Sequence, residues 1–231
     1  LNPGGQGADR VSVSEAFEMP DPQPARSQAS ELDSYVDAID RIGVQLRENG
    51  ALGLIVVDAS SLESIERSYG VEAYRRAREQ LHALILEACE GELEERDLVV
   101  SGEMEADQVA IFLFRPRGHD AFYRETLGQI ADAVRAKFLQ SGNRIVYPYR
   151  REAPLLPVGQ ALVFHHPGLR ERRQVRRAVK QARLDAELNE RIEARKRSRQ
   201  FTDLVLSENV TILYEPIVNT MTREITGYEA L

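Results

Sequence analysis

ALGLIVVDASSLESIERSYG (residues 51–70) decides how the rest of the chain reads. Ala51 to Val57 is apolar throughout, and Asp58 closes the run. A short β-branched run between Asn49-Gly50 and Ser60-Ser61 predicts a strand covered on both faces, because a half-exposed strand would alternate with polar residues. After it, Leu62, Ile65 and Tyr69 precede Gly70, while Ala77, Leu81, Leu84, Ile85 and Ala88 follow it at helical spacing. A glycine between two such stretches predicts two consecutive helices.

Upstream, Leu32, Tyr35, Val36, Ile39, Ile42 and Leu46 predict a helix, opened by a Ser30/Asp33 capping box and stopped by Asn49-Gly50. Residues 1–29 are rich in Pro, Gly, Ser and Gln without periodicity, the composition of a linker or irregular arm. Downstream, DLVVS (97–101) and QVAIFLF (108–114) flank the acidic connection GEMEAD (102–107) and predict a β-hairpin. A helix is expected from about Asp120 to Leu139, with Leu127, Ile130, Val134 and Phe138 on one face. PVGQALVF (157–164) predicts one more strand. The resulting βααββαβ order is an α+β domain over 30–168, an antiparallel-containing sheet with its helices expected on one side.

Residues 169–200 form a basic linker helix, its start expected to complete the domain, in which twelve Lys or Arg face five Asp or Glu between Arg170 and Arg199. That local excess of seven leaves −14 on the remainder of a chain whose net charge is −7. Val175, Ala178, Val179, Ala182, Leu188 and Ile192 make a weak apolar stripe, so a solvated or coiled-coil connector is preferred to a nucleic-acid helix.

Composition narrows the classes further. The 231 residues suit one large domain with flanks, and 42% hydrophobic content can fill its core. Trp is absent and aromatics are 6%, which leaves no stacking platform for single-stranded nucleic acid. A lone Cys89 excludes a disulfide framework, and no apolar run is long enough to span a bilayer. A soluble, reducing cytoplasmic location is expected. Leu1 in place of Met predicts a piece of a longer polypeptide. His82 falls in a helix and His165-His166 follow a strand without a second ligand cluster, so solvated loop histidines are expected there.

The order of elements, with an acid closing the first strand and a hairpin in the middle, resembles the GGDEF domain, the diguanylate cyclase fold. LIVVDASSLESIERSYG (54–70) is similar to that family's strand–helix signature, EADQVAIF (105–112) to its Gly-Gly-Asp/Glu-Glu-Phe hairpin, and AVKQAR (178–183) to its late helix motif. A second resemblance lies in the tail. LYEPIVNTMTREITGYEAL (213–231) is similar to the start of the EAL domain, the cyclic di-GMP phosphodiesterase barrel. Together they imply a GGDEF–EAL tandem in which 201–231 is the first hairpin of a truncated EAL barrel.

The resemblance also implies which residues carry chemistry, and several are altered. Asp58 stands at the position of a magnesium-ligating aspartate and reads here as an inherited acid at a strand end. The signature is degenerate at Glu105, Ala106, Asp107, Gln108 and Val109: both glycines are lost, and neutral Gln108 replaces a metal-binding glutamate. Glu66 and Arg67 stand where the family reads guanine, and Arg183 replaces a phosphate-contacting lysine with its charge kept. Phosphoryl transfer is carried by positioning and charge neutralisation, and losing one such group typically costs on the order of a hundredfold in rate. With several altered, no diguanylate cyclase activity is expected. The inhibitory Arg-x-x-Asp site is incomplete: one alignment puts Val99 at the aspartate, the other puts Asp97 there with Glu94 in place of the arginine. In the tail, Glu229 matches a metal ligand of an intact EAL domain, and Glu215 replaces a family Gln.

The expected role is therefore that of a catalytically inactive regulatory or dimerisation domain that controls or positions an EAL phosphodiesterase. Its partners would be its own EAL domain, a second copy, or a signalling protein. No cofactor is expected, and magnesium would enter only with retained GTP binding or an intact EAL domain. Two alternatives stay open, a GTP-binding allosteric activator and a protein- or nucleic-acid-docking module that uses the basic helix.

Overall fold

The computed structural model describes residues 34–102, 107–207 and 213–230. The Ser30/Asp33 capping box lies outside them. The first helix, α1 (Tyr35–Asn49), is capped by Ser34, whose hydroxyl accepts from the Val36 amide at 3.2 Å. It ends at Gly50, which adopts φ 72°, a left-handed conformation that glycine reaches without a Cβ penalty. The turn feeds directly into β1 (Ala51–Asp58), buried along seven of its eight residues as the unbroken apolar run requires.

A short 3₁₀ turn (Ser60–Leu62), α2 (Glu63–Tyr69) and α3 (Val71–Ala88) follow, divided at Gly70 as the sequence predicts. Next come β2 (Leu98–Ser101) and β3 (Gln108–Leu113), then α4 (Leu127–Ser141), preceded by a π-helical turn at Phe122–Thr126 that periodicity does not reveal. A short α5 (Asn143–Val146), also unanticipated, leads through a proline-containing loop to β4 (Val158–Phe164) and α6 (Glu171–Leu206).

The sheet order is β2-β3-β1-β4, with all three pairings antiparallel. Helices cover both faces, not one. Leu52, Leu54 and Val56 of β1 pack with α1 and with Val175, Ala178, Val179 and Ala182 of α6. The alternate residues Ile55 and Val57 pack against Leu81, Leu84 and Ile85 of α3 and Val134 and Phe138 of α4. A strand apolar at every position has no solvent face to spare, so each surface needs its own helical layer. The start of the basic helix supplies half of one layer.

The docking of α6 is close. A Cβ on Gly159 of β4 would sit 2.9 Å from the Ala186 Cα and clash with the Ala182 carbonyl and the Ala186 amide. Gln174, 5% exposed, fixes the approach by accepting from the His166 amide at 2.8 Å and donating to the carbonyls of His166 (3.1 Å) and Leu169 (2.9 Å). Beyond Asn189, whose side-chain amide donates to the Val158 carbonyl of β4 at 3.2 Å, the helix leaves the sheet, and residues 191–206 are exposed on every side. Leu188 and Ile192 are exposed as well, so the apolar stripe is core-facing in its first half and has no continuous seam in its second. Ion pairs one turn apart, Arg191 with Glu187 and Lys196 with Glu193, suit a polar helix that spans solvent alone.

Candidate functional site

Asp58 ends β1 and Gln108 opens β3, and the two are direct cross-strand partners. Strand alternation places both side chains on the α6 side of the sheet. Asp58 accepts from the Ser60 amide at 2.9 Å, closing the turn that starts the 3₁₀ segment. Arg183 reaches down from α6, and its Nε donates to the Gln108 side-chain oxygen. Its Nη2 is buried with no partner among the described residues.

Asp107 turns the other way. Its carboxylate accepts from the Tyr74 hydroxyl of α3, and its carbonyl accepts from the Ala59 amide at 2.6 Å. Burial raises its pKa above the ordinary carboxylate value, and Glu66, Glu63 and Asp58 raise it further by repulsion. Arg67 offsets only part of that charge, since it is exposed and bound to Glu63 at 2.8 Å. Glu66 is half-buried in α2. A phosphate group entering here would meet four carboxyl groups, with Arg183 already engaged by Gln108. Glu105 and Ala106 lie outside the described residues, and Val109 is a core residue of β3.

The donor set does not fit a magnesium ion. Asp58 and Asp107 point to different sides of the sheet, the oxygen of Gln108 is occupied by a guanidinium, and a carboxamide brings no charge to a hard cation. Among the described residues no three His, Cys, Asp or Glu side chains gather into a metal-binding group.

Sequence reading missed the strongest polar feature. Asp97, with its side chain 1% exposed, accepts from the Glu94 and Phe114 amides at 2.8 Å each and from Arg115 at 2.9 and 3.0 Å. Arg115 also donates to the Glu92 carbonyl at 2.9 Å, pairs with Glu94 at 2.8 Å, and lies 4.9 Å over the Phe122 ring. Asp97 is thus a structural counter-ion with no lone pair free for a ligand. The available signal was an acid just before one hairpin strand and an arginine just after the other. Arg96 is exposed and pairs with Glu94 at 2.7 Å. Of the two loop histidines, His166 is exposed as expected, its Nδ1 accepting from the Gly168 amide at 3.1 Å, while the His165 side chain is only 16% exposed near Glu171.

The tail forms a separate hairpin, β5 (Tyr214–Val218) with β6 (Ile225–Ala230). Glu215 and Glu229 are cross-strand partners, and both are exposed. Like charges directly opposite repel, so this pair needs a cation or a covering partner to become favourable.

No family model and no curated protein matches the sequence. The similarity found is structural. The GGDEF domain of the Pseudomonas aeruginosa protein TpbB, also called YfiN, superposes with a TM-score of 0.50 at 20% identity, covering 69% of this chain and 85% of that one. The fold is that of a GGDEF domain. The GGDEF domain of the PA2567 protein of the same organism gives a TM-score of 0.49 at 15% identity, over 71% of this chain and 90% of the other. Asp58, Gln108 and Arg183 lie on one side of the sheet, where Gln108 pairs with Asp58 across the strands and bonds to Arg183, while Arg67 faces solvent.

Proposed function

We propose that this chain is a catalytically silent GGDEF-type domain of a cyclic di-GMP signalling protein, serving to hold or report geometry rather than to join nucleotides. The observation that carries the reading is the Arg183–Gln108 contact. A side chain in the metal-ligand position has lost its charge, and the cation that would face phosphate is bonded to it. On the other side of the sheet, the acidic surroundings of Asp107 add repulsion toward a triphosphate approaching the start of β3.

On this reading α6 is the output element. Its first half is fixed to the sheet through Gly159 and Gln174, and its second half carries any movement of the domain toward the EAL-type hairpin. A shift between two arrangements needs only a few kcal/mol of differential contact. The partner would be an EAL phosphodiesterase domain, or a second copy through the same helix. No resident cofactor is required, magnesium entering only with GTP or with an intact EAL domain, and a cytoplasmic location goes with this role. No helix among the described residues is long and apolar enough to cross a membrane.

One observation favours a second reading, in which GTP binds without being converted and acts as an effector. The Arg183 Nη2 is buried and unpartnered, a donor that a phosphate oxygen would satisfy. Calorimetry with GTP and magnesium separates the two. The silent-scaffold reading expects no heat of binding at millimolar GTP. A saturable isotherm that disappears in Arg183→Met would establish the effector reading instead.

A further inference from the structure

Away from the signature hairpin, α3 and the segment from α5 to Tyr149 enclose an open groove of about 490 Å³. That lies within the range of roughly 300–1,000 Å³ common for binding clefts. Its floor is apolar, with Ala77 and Ile145 each 1% exposed. Its rim is aromatic. Tyr149 lies against Tyr69 with ring centroids 5.1 Å apart, and the Tyr69 hydroxyl donates to the Tyr149 carbonyl at 3.0 Å. Tyr147 stands 77% exposed, its hydroxyl without a polar partner among the described residues. The same loop continues along α2 through Arg150 to Ser64 (3.1 Å) and the Leu155 carbonyl to Ser61 (2.8 Å), exposing Leu155 at its far end.

The walls carry positive charge that the chain does not fully neutralise. Lys137 and Arg144 share the single carboxylate of Glu87, at 2.9 and 3.2 Å. Arg76 reaches Glu72 only at 3.5 Å, because Arg75 already holds that carboxylate at 2.6 Å. Glu79, the one acid in the lining, is paired with Arg75. The side-chain amides of Gln80 and Asn143 line the groove with no partner among the described residues. Exposed tyrosines beside arginines over a small apolar floor have the composition of an interaction hot spot, whereas a solvated surface would show Lys and Glu.

We propose that this groove docks an acidic, extended segment of a partner protein. The carboxylates of that segment would meet Arg76 and Arg144, its backbone would bond to Gln80 and Asn143, and an apolar side chain would enter between Tyr147 and Tyr149. The groove lies one to two turns along α3 from Tyr74, which holds Asp107, so a bound segment would press on the helix that supports the vestigial site. The inference rests on the regulatory reading and names where the input arrives.

The test is selection of a displayed library of random dodecapeptides on the purified chain, with Tyr147→Ala and Arg76→Glu as counter-targets. Both residues are mainly exposed, so both variants retain the fold. The expected result is enrichment of peptides that combine Asp or Glu with an apolar residue, and binding weaker by about tenfold or more in each variant, the effect of removing one hot-spot contact. Absence of enrichment, or enriched peptides that bind the variants equally, overturns the proposal. A shift in oligomeric state by Tyr147→Ala during sedimentation overturns it too, by assigning the groove to a second copy. GTP turnover is read separately, so failure of the groove and failure of the silent-domain reading are distinguishable.

Discussion

Arg183 on α6 donates its Nε–H to the side-chain oxygen of Gln108 at the start of β3. The contact joins the helix that leaves the domain to the strand that opens at the signature hairpin. A glutamate at position 108 would bind Arg183 more strongly than the neutral amide does, enough to outweigh repulsion from Asp58 across the strands. Gln108→Glu is therefore expected to stabilise the fold, by about 1 kcal/mol for a charge-assisted bond replacing a neutral one, without conferring GTP conversion. Urea unfolding of the variant checks the first statement and product analysis the second.

The buried pair of Arg115 and Asp97 should be costly to break from either side. Arg115→Met leaves a carboxylate that is 1% exposed without its cation, and a loss of about 3–5 kcal/mol is expected. Asp97→Asn also removes the charge received by the Phe114 amide, and the double variant should lose less than the two single losses combined. Denaturant midpoints for the four proteins test this coupling.

Gly159 is the point at which α6 meets the sheet without clearance. Gly159→Val would force its side chain into the Ala182–Ala186 backbone, and a cost of about 2–4 kcal/mol is expected, at or slightly beyond the usual overpacking range because backbone is what must yield. The loss should appear as faster amide exchange in residues 175–186 before global unfolding.

Asp107 gives a pH dependence of defined sign. Its pKa is raised in the folded state by burial and by Glu66, Glu63 and Asp58, so the folded chain favours the protonated form. Below the ordinary value of 3.8 this carboxyl costs nothing, and stability falls as pH rises through its elevated folded pKa. Asp107→Asn, which keeps an acceptor for the Tyr74 hydroxyl, should match the parent below that range and exceed it at neutral pH. Unfolding midpoints across pH 3 to 8 show the difference growing with pH, or they contradict the assignment.

Cys89 is fully buried, and burial pushes its thiol up to about 11. Alkylation at neutral pH should therefore track unfolding, with no reaction in the native state over the time that denatured protein reacts completely.

Much of the fold was legible because its strands announce themselves. The run Ala51–Asp58 predicted a doubly covered strand, and the structure buries it on both sides. The same run implies helices on both faces, but the late basic helix shows its charge more plainly than its docking residues Val175, Ala178, Val179 and Ala182, whose stripe is weak. Periodicity cannot say which surface an apolar stripe meets. The Arg115–Asp97 pair and the Tyr74–Asp107 contact were invisible for a related reason: each joins residues separated by a strand or a helix, and only register brings them together. The candidate site was legible one residue at a time, at Gln108 and Arg183. That the two residues bond to each other was not.

The most direct test of the silent-domain account is incubation of the purified chain, at high micromolar concentration, with GTP and magnesium, followed by chromatographic detection of cyclic di-GMP. The account predicts no product above a protein-free control. Product that rises with protein concentration would contradict it, showing that the Arg183–Gln108 contact opens and that the site still joins nucleotides.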